Sequence, residues 1–164
     1  ITYGTGANFP AIRNERNDVK ADLVVLYIRQ QPINYCGVAW VNGPTPMAAY
    51  GFAAVDAACI GSVTLAHELG HAMGLHHDRY VEPQAGTSVY NYGFVSTGGG
   101  FRDIMSYPNK CYDRLSRDCT LKTYFSSPDK TYNGRRAGRP RGTKGAADAT
   151  RWLKRKRETV AGFR

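Results

Sequence analysis

Residues 67–77 read HELGHAMGLHH. His67 and His71 stand four residues apart, so in a helix both imidazoles project from one face and can reach one ion about 2 Å from each nitrogen. Gly74 can end that helix, because glycine adopts the left-handed conformation of a helix cap without steric penalty. His77 then completes three ligands and leaves a fourth position for water, as catalytic zinc requires. We therefore predict a Zn2+ site at these three histidines.

Glu68 follows the first ligand directly and can reach that water without binding the metal. Zinc lowers the pKa of its water toward about 7 and polarises a peptide carbonyl. We expect Glu68 to be the catalytic general base, accepting the proton as the water attacks and returning it to the leaving amine. The alternatives are a zinc site without catalysis and a chance pattern. Neither is favoured, because five fixed positions rarely coincide by chance and a structural site has no use for Glu68.

A second motif, DIMSY at residues 103–107, lies downstream. With the extended histidine motif, the sequence resembles the metzincin family of zinc metallopeptidases, in which a methionine-containing turn lies beneath the zinc ligands. The resemblance implies that Met105 is the structural Met-turn residue. Asp78, directly after the third ligand, resembles the adamalysin or reprolysin branch, whereas Met-x-Tyr resembles astacins and serralysins. On that likeness Tyr107 is a catalytic residue, as a weak fifth ligand or an oxyanion stabiliser; the alternative is a packed aromatic under the turn.

The order of segments gives a closer likeness. ADLVVL, CGVAW, GFAAVDAAC, the zinc helix, FRDIMSY and TVAGFR are similar to bacterial reprolysin-like enzymes of the peptidyl-Asp metallopeptidase kind, over most of residues 21–164. The resemblance implies a zinc metalloendopeptidase that acts on protein or peptide substrates. Metzincins usually place more sheet and a long helix before the strand matched by residues 21–29. With only twenty residues before it here, we expect either an abbreviated N-terminal part or a processed or truncated fragment.

The same resemblance implies where a substrate binds. A peptide would lie extended and antiparallel to the edge strand at residues 37–41, as an added strand. The substrate-binding residues on that strand are Gly37, Val38, Ala39 and Trp40.

The peptidyl-Asp enzymes cut on the amino side of aspartate, and a buried carboxylate needs a paired cation. Lys110, Arg102 and Arg114 flank the Met105 turn. We place Lys110 first, because it follows the turn where metzincins shape the pocket for the residue after the cleaved bond. The alternative is that all three side chains are exposed and the pocket prefers an apolar residue.

We expect an α/β (α+β) fold: a metzincin-like twisted sheet with an active-site helix, and a loop-rich C-terminal half closed by a helix. A chain of 164 residues suits one domain. We therefore predict a single metzincin-like catalytic domain over residues 1–164. Its N-terminal half, 1–74, carries the sheet and the zinc helix, and its C-terminal half, 75–164, carries the third ligand, the Met-turn and the final helix.

Local patterns predict the individual elements. The continuous apolar run at residues 21–29 predicts a strand buried on both faces, inside the sheet. Ser62 is a good N-cap for the zinc helix. Further strands are predicted at residues 37–41 and 50–55, irregular structure up to Arg16, mostly loop over 80–107 and a closing helix over 146–163.

Four cysteines fall in two close pairs, and neither pair has the C-x-x-C spacing of a structural zinc site. Two disulfides are favoured over four reduced buried thiols. Of the three possible connectivities we prefer Cys36 with Cys59 and Cys111 with Cys119, because each pair brackets one loop or strand segment. Disulfides persist in oxidising compartments, so we expect a secreted, extracellular protein.

The net charge of +9 is unevenly placed. Residues 1–134 carry 11 Lys and Arg against 11 Asp and Glu, whereas residues 135–164 carry 11 against 2. Such a field attracts acidic protein substrates or an anionic cell surface. Nucleic acid is disfavoured, because Trp152 is the one aromatic residue in the basic run. The rival function is a non-catalytic, zinc-stabilised binding module that uses its basic C-terminal helix for anionic partners.

No run approaches the roughly 18 apolar residues that a membrane span needs. No charged-then-apolar signal segment opens the sequence. We therefore expect no membrane span, a monomer, and the prior removal of any export signal.

Overall fold

The computed structural model describes residues 9–29, 35–83 and 89–164. Within these ranges the helices are α1 (Phe9–Asp18), α2 (Thr64–Ala72), α3 (Asn109–Leu115) and α4 (Ala149–Val160). The strands are β1 (Val24–Ile28), β2 (Gly37–Ala39), β3 (Phe52–Asp56), β4 (His76–Asp78), β5 (Tyr92–Gly93), β6 (Val95–Ser96), β7 (Phe101–Arg102), β8 (Thr120–Leu121), β9 (Ser127–Tyr132) and β10 (Arg135–Ala137). Helices combined with small mixed sheets confirm the predicted α/β (α+β) class.

The N-terminal sheet has three strands, with β3 in the middle. β1 pairs with β3 in parallel, and β2 pairs with β3 antiparallel on the other side. The β3 residues from Phe52 to Val55 are buried, and α2 packs against β2 and β3. β2 is therefore the strand at the sheet edge nearest to the predicted zinc helix, as expected.

The strand predicted at residues 21–29 is present but lies at the other edge of the sheet. In the described part of the chain β1 pairs with β3 alone, and 44% of Leu26 and 49% of Tyr27 remain exposed. The prediction that this strand is buried on both faces inside the sheet was therefore wrong. An apolar run reports composition, whereas burial depends on whether another element covers the strand.

Helix α1 replaces the irregular structure predicted up to Arg16; residues 1–8 lie outside the described residues. Arg16 is buried, its Nη1 donates to the carbonyl of Ala48 at 2.5 Å, and its guanidinium lies 4.8 Å from the ring centre of Phe52. The Phe9 ring lies 4.9 Å from the same ring. Tertiary contacts with β3 thus stabilise a helix that local composition does not favour.

The C-terminal half contains two-residue strands where mostly loop was predicted, and it ends in the predicted closing helix. Asp148 caps α4, because its carboxylate accepts from the backbone N–H of Arg151 at 3.3 Å. Trp152 is buried and donates from Nε1 to the carbonyl of Met73 at 3.0 Å, which joins α4 to the end of α2. The core beneath α2 is formed by Leu75, Tyr90, Ile104, Met105, Ala146, Ala149 and Trp152.

Both predicted disulfides are present. Cys36 bonds to Cys59 and Cys111 bonds to Cys119, with Cα atoms 5.6 and 5.7 Å apart. Across the described ranges no helix is long and apolar enough to cross a membrane.

Candidate metal centre and substrate cleft

The zinc helix begins and ends close to where the sequence predicts. The N-cap is Val63, which makes no side-chain cap bond, so the prediction that Ser62 caps this helix was wrong by one residue. Ser62 Oγ accepts from the backbone N–H of Thr64 at 3.2 Å instead, as a local turn before the helix. Gly74 ends the helical turn with φ of 91°, and its N–H donates to the carbonyl of His71 at 2.8 Å. A Cβ at this position would lie 2.7 Å from the carbonyl oxygen of Asn42. Glycine is therefore needed both for its backbone angle and for the close approach.

The three predicted ligands converge. His67 and His71 lie on α2, and His77 returns on β4. Their Nε2 atoms form a triangle with sides of 3.0 to 3.1 Å. Three nitrogens that each lie about 2.0–2.1 Å from one ion in tetrahedral geometry are about 3.3 Å apart. The triangle is slightly tighter than that, and it fits a single zinc-sized ion.

The hydrogen bonds of the rings leave the Nε2 lone pairs free for a metal. The Nδ1 atom of His67 lies 2.8 Å from the carbonyl of Ile104, and that of His71 lies 2.7 Å from the carbonyl of Leu75. Each Nδ1 therefore carries the proton. Burial lowers the pKa of His67, and burial with the charges of His67 and His77 lowers the pKa of His71 to about 3. Neutral imidazoles this close repel unless a cation lies between them, so the donor set fits zinc.

Glu82 holds the third ligand, and sequence reasoning missed it. Its Oε1 lies 2.5 Å from Nδ1 of His77 and its Oε2 lies 2.9 Å from Nδ1 of His76. Hydrogen bonds from His76 and His77 keep the pKa of the Glu82 carboxyl well below its ordinary value. A carboxylate that orients a metal-binding histidine raises the basicity of the ring. Its position five residues after His77 is the only signal in the sequence, and a loop residue at that spacing has no fixed direction.

Glu68 is buried at the side of the cleft, against the backbone of β2. A Cβ on Gly37 would lie 2.7 Å from Cγ of Glu68 and 2.8 Å from its Oε1. Burial raises the pKa of the Glu68 carboxyl to about 7. The glycine at the start of β2 therefore allows the edge strand and the predicted base to touch.

Met105 lies beneath α2. The residue is fully buried, and a Cβ on Gly70 of the helix would lie 2.6 Å from its sulfur. On the other side, a Cβ on Gly93 would lie 2.8 Å from the Met105 carbonyl carbon. Two glycines thus make room for the turn that supports the zinc helix.

Tyr107 stands beside the ligands and is 43% exposed, so it is not packed under the turn. Its ring centre lies 4.6 Å from that of His77 and 6.0 Å from that of His67. The backbone N–H of Tyr107 donates to Oδ2 of Asp78 at 2.9 Å, so Asp78 joins the third-ligand strand to the Met-turn. Burial, and next the charge of Glu68, raise the pKa of the Tyr107 hydroxyl.

A cleft of about 390 Å³ opens beside His67 and Glu68. Its lining comprises Tyr35, Cys36, Gly37, Ser62, Val63, Thr64, His67, Glu68, Arg102, Ile104, Ser106, Tyr107, Pro108 and Leu121. Of the predicted substrate strand, Gly37 reaches this lining, whereas Val38, Ala39 and Trp40 continue away from it.

The three basic residues considered for the pocket lie in different places. Arg102 lines the cleft. Lys110 lines two neighbouring cavities of about 190 and 540 Å³ that contain none of the zinc ligands, with its Nζ 3.4 Å from the carbonyl of Val95. Arg114 is exposed on α3. The structure thus brings together the ligands, Glu68, Tyr107 and Arg102, but not Lys110.

Comparison with known proteins matches the sequence profile of the M12B reprolysin-like metallopeptidase family to residues 5–133. The chain belongs to the M12B reprolysin-like family. This membership confirms the resemblance that the histidine motif and the Met-turn indicated.

This reprolysin-like chain is 35% identical over 158 residues to the peptidyl-Asp metalloendopeptidase of Stenotrophomonas maltophilia strain K279a. It is 29% identical over 190 residues to the peptidyl-Asp metalloendopeptidase of Pseudomonas aeruginosa PAO1. These alignments cover 94% and 98% of the chain, but 34% and 30% of the relatives, so the chain spans about a third of their length.

One solved structure, titled "Structure of a chaperone-substrate complex", matches with a TM-score of 0.60 at 22% sequence identity. That match covers 93% of this chain and 22% of the other chain. It is a likeness of fold.

Proposed function

We propose that the chain is the catalytic domain of a zinc-dependent endopeptidase. The observation that carries the proposal is the convergence of three Nε2 atoms within 3.1 Å of one another, in a family of metallopeptidases and beside an open cleft. A zinc ion held by His67, His71 and His77 would lower the pKa of a bound water and polarise the peptide carbonyl.

Glu68 acts as the general base in this proposal. It shares the cleft with His67, and its side chain is held against Gly37. Its carboxylate takes the proton from the attacking water and delivers it to the leaving amine, so the peptide bond breaks without a covalent intermediate. Tyr107, whose ring borders two of the ligands, donates a hydrogen bond to the oxygen that becomes negative in the transition state.

The substrate lies along β2. This strand is at the edge of its sheet, and Gly37 at its start lines the cleft next to Glu68. An extended peptide that adds to this edge in the antiparallel direction places a backbone carbonyl over the ligands. Val38, Ala39 and Trp40 then contact residues farther from the cleaved bond.

The curated relatives are named peptidyl-Asp metalloendopeptidases, and we propose aspartate-directed cleavage for this chain as well. The two disulfides suit an oxidising compartment, which supports action outside the cell.

Casein hydrolysis before and after chelation tests the proposal. We expect activity that disappears when a chelator removes the metal and returns when zinc is added back. No hydrolysis under any of these conditions would instead favour the zinc-stabilised binding module.

A further inference from the structure

We propose that Arg102 is the residue that recognises the aspartate side chain of the substrate, an inference that rests on the proposed endopeptidase function. Arg102 is the only lysine or arginine among the described residues that line the cleft. A carboxylate that enters the cleft beside His67 and Glu68 therefore meets this guanidinium.

The backbone of Arg102 is fixed in the middle of a sheet. β7 lies between β6 and β8, with Arg102 opposite Val95 on one side and Leu121 on the other. Leu121 itself lines the cleft, as do Ile104 and Ser106 just after β7. The base of the guanidinium side chain is therefore placed by a strand and not by a loop, which favours precise recognition.

The guanidinium is also fixed at its tip. Nε and Nη2 donate to the two carboxylate oxygens of Asp118 at 3.0 and 3.1 Å, and Nη1 donates to the carbonyl of Ser106 at 3.1 Å. These bonds use three of the five N–H groups of arginine and leave one on each terminal nitrogen. Two such N–H groups can bind a second carboxylate, because the planar guanidinium matches the spacing of carboxylate oxygens.

Asp118 positions the arginine and is the more exposed member of the pair. Its side chain is 39% exposed against 16% for Arg102, so water screens the carboxylate more than the guanidinium. Arg102 also lowers the pKa of the Asp118 carboxyl, which keeps the pair ionised. Because three hydrogen bonds restrain the guanidinium, the length of the substrate side chain decides how well it reaches. Aspartate is thereby distinguished from glutamate.

Lys110 is the first candidate from the sequence for the basic residue of the pocket. It carries the same charge as Arg102 but lies elsewhere. It is half-buried, burial lowers its pKa, and it lines cavities that contain neither His67 nor Glu68. The role predicted for Lys110 therefore passes to Arg102, and Lys110 becomes the natural control.

The test is cleavage-site profiling on a peptide library, followed by kcat/KM on peptides that differ only in Asp, Asn, Glu or Ala after the cleaved bond. We expect the wild-type chain to enrich Asp there. Arg102→Gln should lower kcat/KM for the Asp peptide at least about a hundredfold, because the carboxylate loses its charged hydrogen-bond partner. The Ala and Asn peptides should change less than about threefold, and Lys110→Gln should keep the wild-type profile.

Arg102→Lys is the control for a folding defect, because lysine retains the charge but not the paired N–H groups. We expect it to show wild-type zinc content and an Asp preference between those of the wild type and Arg102→Gln. An Asp preference that survives Arg102→Gln, or is lost in Lys110→Gln, overturns the assignment while zinc-dependent hydrolysis stands. A wild-type chain that loads zinc but cleaves no peptide overturns the proposed function and this inference together.

Discussion

Gly37 lies so close to the side chain of Glu68 that a methyl group on Gly37 would have no room. Because a Cβ on Gly37 would lie 2.7 Å from Cγ of Glu68, Gly37→Ala must displace the proposed base or the start of β2. A displacement of about 1 Å at a reacting group costs roughly a hundredfold. We expect kcat to fall about ten- to a hundredfold while the zinc content, measured by mass spectrometry, stays at the wild-type value.

Gly61→Ala is the matched control for that substitution, because a Cβ there has nothing within 4 Å. It should leave kcat unchanged. A Gly37→Ala variant as active as Gly61→Ala would show that Glu68 does not need its observed position.

Glu82 gives a second prediction for a single residue. Its carboxylate accepts from Nδ1 of His77, and Gln can accept only one comparable bond without the charge. We expect Glu82→Gln to weaken zinc binding about ten- to a hundredfold, the usual effect of removing a partner that orients a metal ligand. Competition with a chelator of known affinity measures this. Glu158→Gln, at an exposed position on α4, should bind zinc as the wild type does.

At the scale of elements, the sequence predicted those parts whose cause is local. The spacing of His67 and His71 requires a helix. Gly74 marks the end of that helix, because it adopts a positive φ that other residues avoid. The edge position of β1, by contrast, depends on what lies beyond the strand. Helix α1 depends on the contact of Arg16 with Ala48, which is 32 residues away. Such contacts leave no periodic signal in the sequence.

The candidate site divides in the same way. The three histidines, Glu68 and Met105 belong to short motifs, so the sequence could predict that they lie close together. Glu82 and Arg102 belong to no short motif. Glu82 bonds to His77 across a loop, and sequence order does not say whether Arg102 or Lys110 lines the cleft.

Asp103 makes the stability of the Met-turn dependent on pH. Complete burial raises the pKa of its carboxyl to about 7, partly offset by nearby polar groups of Phe94, Ser106 and Ser126. Below about pH 4 both the folded and unfolded chains hold the proton. Between about pH 4 and 7 only the folded chain keeps it, so this group makes the free energy of unfolding fall as pH rises, by a few kcal/mol in total.

Urea unfolding at saturating zinc from pH 4 to 7.5 measures this contribution. The Asp103→Asn chain lacks the titrating group, so its free energy of unfolding should decline less across this window than that of the wild type. Asp129→Asn, at an exposed position on β9, should follow the wild type. Parallel curves for the wild type and Asp103→Asn would contradict the prediction.

At the scale of the whole molecule, the excess positive charge of residues 135–164 lies mainly at the surface. Arg135, Arg136, Arg139, Arg141 and Lys144 are exposed, as are Arg151, Lys154, Arg155 and Arg157 on α4. Charges on a surface raise the rate of encounter with oppositely charged proteins, and salt screens them over about 10 Å at 0.1 M. We propose that this surface attracts acidic substrates or an anionic cell surface.

Salt dependence tests that role. For an acidic protein substrate, kcat/KM should fall about tenfold from 20 mM to 500 mM NaCl, and for a short uncharged peptide it should change little. A variant with Arg151, Lys154 and Arg157 changed to Gln should lose much of the dependence on salt. Equal salt effects on both substrates would show that this surface does not attract acidic substrates.

We propose that Glu68 performs proton transfer beside zinc held by His67, His71 and His77. Turnover and zinc content measured on one sample of Glu68→Gln test it most directly, because the substitution keeps the side-chain shape and leaves the three imidazoles untouched. We predict a wild-type zinc content and a kcat at least about a thousandfold lower, because the proton acceptor is gone. A zinc-loaded Glu68→Gln chain that turns over substrate at the wild-type rate would contradict the claim.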